Sequence, residues 1–306
     1  VIESMNIENP GTVALMLPLY HSFALVTQMV TTLLTGGQIL MVPDFELPGE
    51  LIKFIIQNQI NTIAGVPTSF KLLLMGNTLK FEHLKHITIA GAALDAALSV
   101  EIKKAFPNAS LWVGYGLTEA GPRVTAISDN QPEFVHGSVG KPIKGVELKI
   151  IDDEVLVKSP SIMVKYLDDK KTTAKKIIDG WLHTGDLGRL DENGHLYITG
   201  RKDDIFISGG EKISPLAIER ILNKHPDIFS SAVSGENDPI MGSRIIALLQ
   251  LRESKKIKIR DVIEHCQKHL EHHLVPHKFF KVNALPLTPN GKLKRKELPL
   301  CQKEKI

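Results

Sequence analysis

Six consecutive residues, Gly114-Tyr115-Gly116-Leu117-Thr118-Glu119, set a flat aromatic face, a hydroxyl and a carboxylate beside two glycines that let a ligand come close to the backbone. Tyr115 offers a surface for stacking a base, Thr118 a hydroxyl for a phosphate, and Glu119 a hard oxygen for Mg²⁺. A tight turn with a capping Thr accounts for the same letters. Gly91-Ala92-Ala93 follows an apolar run in the same way. Its small side chains leave room for a ring system, or let a strand turn closely into a helix. Asp186 stands on what reads as a Gly185 turn, and a carboxylate there can accept from both hydroxyls of a ribose. Arg201 adds a planar cation for a phosphate or for the same sugar. In 285–294 the Pro and Asn-Gly content marks a turn, and Lys292 sits right after it with an ammonium able to enter a cleft. Further lysines at 294 and 296 keep a solvated basic tail as the plain alternative.

The elements that must hold these groups change texture along the chain. Strand-like runs at 13–17, 38–42, 61–66, 87–90 and 111–113 alternate with helix-like ones at 22–34, 51–58 and 95–106. Ser22 is placed to cap the first helix, and Gly36 to stop it. This alternation argues for a parallel sheet covered by helices, with ligands near the loops that leave the strands' carboxyl ends. After Pro122, β-rich runs at 146–151, 154–157 and 196–199 are divided by Asp152-Asp153, Ser159-Pro160 and Asn193-Gly194, a mainly antiparallel texture. Beyond Asp203, strands at 205–208 and 245–251 accompany helices at 215–223 and 259–274. The expected fold is therefore α/β, a doubly wound sheet portion plus an antiparallel β subdomain, followed by a small α+β C-terminal domain. The expected division is 1–202 and 203–306.

The totals exclude several classes. The chain has 306 residues, ordinary apolar content and a net charge of +3, with no face-wide excess of Lys and Arg that would suit nucleic acid or a membrane surface. Cys266 and Cys301 form neither a disulfide framework nor a zinc spacing, so a reducing, cytoplasmic setting is expected. The longest apolar zone, 12–43, is interrupted by Pro18, His21, Gln28 and Gly36-Gly37, and lacks the roughly 20 apolar residues of a membrane span. The start at Val-Ile-Glu, without Met or a cleavable leader, is read as that of a fragment.

Taken in order, Gly-Tyr-Gly-Leu-Thr-Glu, then Trp181-Leu-His-Thr-Gly-Asp186, then Gly200-Arg-Lys-Asp-Asp204, then Pro289-Asn-Gly-Lys292 resemble the AMP-forming adenylating enzymes. That superfamily includes acyl- and aryl-CoA synthetases, luciferases and the adenylation domains of peptide synthetases, and the resemblance runs from about Leu15 to Lys296. It implies that Tyr115 stacks on adenine, with Gly91, Ala92 and Gly116 in the same pocket. It also implies that Thr118 touches the α-phosphate, Glu119 holds Mg²⁺, Asp186 grips the ribose and Arg201 supports ribose and phosphate. Asp203 matches a hinge about which a mobile C-terminal domain turns, Gly210 the glycine beside the thiol tunnel, and Lys292 the catalytic lysine. His21 matches a residue near the carboxylate substrate. The implied activity is conversion of a carboxylic acid and ATP to an acyl-adenylate, then transfer to coenzyme A. Transfer to the phosphopantetheine of an acyl carrier protein is the alternative, and a nucleotide-binding module without catalysis is a third.

Departures from the family pattern bear on this. No Ser-Gly-Thr-Thr-type phosphate loop occurs, so the chain alone is expected not to make acyl-adenylate at a useful rate. Val113 stands where relatives often carry Gln or Asn, Lys165-Tyr166 replaces a common Gly-Tyr, and Lys212 occupies a frequent Arg site. His265, His269 and His273 share a spacing that would suit a metal, though a solvated helix face explains them more simply. The basic clusters 255–256 and 294–296 read as solubilising, with phosphates of coenzyme A or an acidic carrier as the alternative.

Overall fold

The structure is a computed structural model that describes residues 1–5, 7–42, 48–75, 81–253, 255, 257–289 and 291–305. Asn290 of the Pro-Asn-Gly-Lys motif and Lys256 of the first basic cluster lie outside the described residues. Two compact units divide the chain. The first takes Val1–Thr184, Gly188–Ile198 and Pro289–Lys292, and the second Gly185–Leu187, Thr199–Thr288 and Leu293–Ile306.

The first unit is built on strands β1 (Thr12–Leu15), β2 (Gln38–Met41), β3 (Thr62–Gly65), β4 (His86–Ile89), β5 (Ser110–Leu117), β6 (Gly121–Ser128) and β7 (Lys141–Pro142), in the order β2-β1-β3-β4-β5-β6-β7. The first five pair in parallel, and β6 and β7 antiparallel. Val13, Ala14, Leu15, Ile63, Ala64, Ile87 and Ile89 are buried, the near-continuous apolar texture of strands covered on both faces. Helices Pro48–Gln57, Pro67–Met75 and Ala96–Ala105 send Ile52, Ile55, Phe70, Leu73, Leu98 and Ile102 into the same core. Each such side chain contributes roughly 1.5–3 kcal/mol on burial. Asp95 caps the third of these helices by accepting from the Ala97 amide at 2.8 Å.

Three details differ from expectation here. Phe23–Val30 winds as a π-helix and only Thr31–Leu34 is α-helical. Ser22 makes no capping bond, because its own backbone is already helical and its side chain is turned to other use. The helix Pro67–Met75 was not expected, since its apolar run lacks a clear period and follows directly on β3.

A second sheet holds β8 (Glu147–Ile151), β9 (Glu154–Lys158), β10 (Ile177–Ile178), β11 (Trp181–Leu190) and β12 (Leu196–Arg201), ordered β10-β11-β9-β8 with β12 beside β11. Asp152 and Asp153, both at positive φ, turn the β8–β9 hairpin. The segment 182–186 is not a turn but the middle of β11. Gly185 bends it locally at φ +76° without ending it.

The second unit contains the hairpin β13 (Phe206–Ser208) and β14 (Glu211–Ile213), and a sheet of β15 (Ile228–Asp238), β16 (Gly242–Leu251), β17 (Lys278–Val282) and β18 (Glu304–Lys305) in that order. Helices Pro215–Leu222 and Ile259–His269 cover it, burying Ile218, Leu222, Val262 and Cys266 against Val233, Ile245, Ala247 and Leu249. The expected helix 259–274 stops at His269, and His273 falls on a separate 3₁₀ turn. Among the described residues no group of three His, Cys, Asp or Glu could hold a metal ion. None of their helices is long and apolar enough to cross a membrane.

The basic cluster 294–296 also departs from a solubilising role. Arg295 at its centre is mostly buried. It donates to Glu219 through Nη1 and Nη2 at 2.8 and 2.9 Å, to Asp204 through Nε at 2.8 Å, and to the Val233 carbonyl at 3.1 Å.

Candidate functional site

In the first unit, β5 leaves the sheet through Gly116 and Leu117 into the short 3₁₀ turn Thr118–Ala120, and β6 returns from Gly121. A Cβ on Gly116 would collide with the Pro122 backbone, so this position must be glycine for β5 and β6 to approach so closely. A cleft at this end of the sheet is lined by His21, Ser22 and Phe23, by Ala90 and Gly91 after β4, by Gly116, Leu117 and Thr118 after β5, and by Lys292. The parallel strands β4 and β5 thus deliver their loops to one place, where open α/β sheets usually take ligands.

Thr118 is exposed, and its hydroxyl lies 3.5 Å from that of Ser22. Glu119 is held from two sides: Tyr166 donates its phenol to Oε1 at 2.7 Å, and the Met163 amide donates to the Glu119 carbonyl at 2.7 Å. Burial and the adjacent Glu119 carboxylate push the Tyr166 phenol up to about 12, so it stays a donor. The remaining carboxylate oxygen is the kind of hard donor that suits Mg²⁺. In the sequence Tyr166 is only the second residue of the Lys165-Tyr166 departure; the fold brings it to Glu119. Tyr115 is 9% exposed and belongs to the main core, and Ala92 is exposed.

Lys292 reaches this cleft on a turn that only glycine permits. Gly291 has φ +75°, and a Cβ there would collide with Thr68 Oγ1. Thr68 donates to the Gly291 carbonyl at 3.2 Å. Lys292 Cε lies 3.8 Å from where a Cβ on Gly91 would stand. His21 is nearby. Its Nε2 is buried without a hydrogen-bond partner, and burial, then the positive charge of Lys292, lower its pKa, leaving a neutral imidazole at pH 7.

In the second unit, Arg201 Nη1 lies 3.2 Å from Asp186 Oδ1, with the Asp186 side chain largely buried and that of Arg201 54% exposed. The guanidinium is thus anchored at one edge and open at the other. Asp203 is exposed on the 3₁₀ turn Lys202–Asp204. Gly210, at φ +89°, closes the β13–β14 hairpin with Gly209, and nothing stands near a Cβ built on it. His21, Gly91, Ala92, Tyr115, Gly116, Thr118, Glu119 and Lys292 therefore fall in the first unit, and Asp186, Arg201, Asp203 and Gly210 in the second.

A strand-to-turn motif that presents a hydroxyl and a carboxylate, with a lysine delivered to it from late in the chain, marks a protein of the nucleotide-handling α/β class. The chain belongs to the AMP-binding enzymes: that family matches residues 3–167, and the AMP-binding enzyme C-terminal domain matches residues 217–292. It is similar to 3-[(3aS,4S,7aS)-7a-methyl-1,5-dioxo-octahydro-1H-inden-4-yl]propanoyl:CoA ligase of Rhodococcus jostii, 32% identical over 286 residues, which cover 92% of this chain and 55% of that ligase. Similarity to 4-coumarate-CoA ligase 2 of Narcissus pseudonarcissus is of the same order, 32% over 302 residues, covering 92% of this chain and 53% of the relative. Among solved structures, o-succinylbenzoate CoA synthetase from Bacillus subtilis in complex with its acyl-adenylate intermediate superposes with a TM-score of 0.86 at 28% identity, over 100% of this chain and 64% of that one. The chain spans about half the length of the curated relatives it matches.

Proposed function

We propose that this chain forms part of an AMP-forming acid–thiol ligase. The observation that carries the reading is the cleft in which the Thr118 hydroxyl, the neutral His21 ring and the Lys292 ammonium converge beside glycine-lined backbone. In the first step a carboxylate oxygen of the acid bonds to the α-phosphorus of ATP and the bond to the β-phosphate oxygen breaks, releasing pyrophosphate. Negative charge is crowded together in that step, and Lys292 offsets it while Thr118 donates to the α-phosphate. Glu119, steadied by Tyr166, is the residue that would hold Mg²⁺, which supplies further charge neutralisation when bound. Tyr115, Gly91, Ala92 and Gly116 are assigned to the adenine pocket. Asp186 is assigned to the ribose hydroxyls, with Arg201 beside it for ribose and phosphate. In the second step the sulfur of a thiol bonds to the acyl carbon, AMP leaves with the former carboxylate oxygen, and the thiol proton passes to solvent. Asp203 is the proposed hinge residue and Gly210 the glycine beside the thiol path.

Coenzyme A is the proposed thiol, and a reducing, cytoplasmic compartment fits the two free cysteines. The test uses the full-length gene product with ATP, Mg²⁺ and a panel of fatty and aryl acids, measuring ATP–pyrophosphate exchange and CoA-ester formation. Exchange is expected to fall about a hundredfold or more in Lys292→Ala. Exchange without any CoA ester would move the thiol to a carrier protein. Exchange undiminished in Lys292→Ala would overturn the assignment of that residue, and no exchange with any acid would overturn the reading itself.

A further inference from the structure

Arg123, on β6, is a buried cation with no ion pair among the described residues. It is 3% exposed, and Nε, Nη1 and Nη2 all lack a hydrogen-bond partner among the described residues. Its guanidinium carbon lies 5.5 Å from the centre of the Phe23 ring. A Cβ on Gly114 would collide with Nη1, so β5 is bare at that point and the guanidinium occupies the space a side chain would fill. Gly116, Phe23 and Pro122, the neighbour of Arg123, line the catalytic cleft. The cation therefore lies beside the cleft, over the Phe23 ring and next in sequence to Pro122, both of which line it. The π-helix Phe23–Val30 packs on β6 and carries two more buried polar side chains, Thr27 and Gln28, without hydrogen-bond partners among the described residues. Three such residues on two adjoining elements are unusual, because buried polar groups are almost always paired.

Burial alone lowers the Arg123 pKa to about 10, so the group remains charged at neutral pH. An unpaired buried charge costs several kcal/mol, whereas a planar guanidinium meeting a carboxylate makes two parallel charge-assisted bonds. A simple monocarboxylic acid cannot supply that partner, since its one carboxylate is consumed at the α-phosphate, at the Thr118–Lys292 end. We propose that Arg123 is a specificity-determining residue that binds a second carboxylate at the far end of the acid. The substrates are then dicarboxylic acids. This deepens the acid-activation reading and rests on it.

The test compares straight-chain dicarboxylic acids from succinate to suberate, and aryl dicarboxylic acids, each with its monomethyl ester. ATP–pyrophosphate exchange by the full-length gene product is followed, with fatty and aryl monocarboxylic acids as a third arm. The best diacid is expected to exceed its ester by about thirtyfold or more in kcat/KM, in line with a desolvated charge pair. In Arg123→Met that ratio should collapse toward unity through a higher KM for the diacid, while the KM for ATP holds. Arg123→Lys should recover part of it. Folding is checked by thermal melting, where diacid should raise the Tm of the parent protein but not that of Arg123→Met. An ester used as well as its diacid, or a ratio that survives in Arg123→Met, overturns the proposal while acid activation stands. Loss of all acids alike, with a lowered Tm, also overturns it, because the partner of Arg123 is then a carboxylate of the protein itself. No exchange in any arm removes both readings.

Discussion

Replacing Arg295 with Ala probes how the second unit is held together. The guanidinium makes two bonds to Glu219, one to Asp204 and one to the Val233 carbonyl, and the Glu219 side chain is only 7% exposed. Removing the cation leaves a buried carboxylate whose remaining hydrogen bond among the described residues is from the Val233 amide, which donates to Oε1 at 2.8 Å. Breaking a buried pair from one side typically costs ~3–5 kcal/mol. Because Asp204 is partly solvated, we place the loss near the lower end, about 3 kcal/mol, equivalent to roughly a hundredfold in the opening equilibrium. Both Trp and all four Tyr lie in the first unit, so tryptophan fluorescence is blind to this change. Hydrogen exchange at the Val233 amide and far-UV circular dichroism are the suitable measurements. Arg295→Lys, which keeps the charge but not the fork, should lose about half as much. The double variant Arg295→Met with Glu219→Leu should regain most of the stability, since no lone charge is left behind. A loss below ~1 kcal/mol in Arg295→Ala, the range of an exposed pair, would refute the reasoning.

Four shorter predictions follow from the cleft and the cores. In Lys292→Ala the His21 pKa should rise toward its ordinary value, because one of its two depressing causes is removed; histidine NMR titration measures the midpoint. Burial lowers the pKa values of His21, His86 and His225, so the unfolded chain takes up protons first as pH falls. Stability should be unaffected by these groups above roughly pH 6.5 and decline below it, as urea melts across that range would show. Tyr166→Phe should weaken ATP-dependent exchange about tenfold and raise the Mg²⁺ concentration required, by releasing Glu119. Iodoacetamide should label Cys301 and spare Cys266, which is buried and has its thiol pushed up to about 11; mass spectrometry of the native protein would show both.

Much of the frame was legible because period and punctuation agreed. Strands 62–65 and 86–89 appear as short apolar runs, and the helix Ala96–Ala105 as the helix-like run 95–106. The segment 182–186 misled because glycine suggested a turn, whereas Gly185 bends a strand that continues through it. The strand β15 escaped because Ser230, Ser231 and Ser234 dilute its apolar signal. The chemical groups of the cleft could be picked out by type, but Tyr166 and Arg123 could not. Their meaning lies in what they face, a carboxylate in one case and, in the other, no hydrogen-bond partner among the described residues. Arg295 shows the same limit from the other side: among neighbouring lysines it has the look of a solubilising charge, and only burial against Glu219 separates it from them.

Residues 289–292 count with the first unit although the chain on either side of them counts with the second. The hydrogen bond from Thr68 to Gly291 therefore closes a loop of 223 residues. Loop-closure entropy grows only slowly with length, so such a link is tolerable at equilibrium, but a growing polypeptide can make it only after residues 199–288 of the second unit have been synthesised. While the protein is still on the ribosome, the sheet of the first unit can assemble, yet its cleft lacks the lysine until that stretch of the second unit has emerged as well. A ligand arriving before then would meet a pocket without its ammonium group.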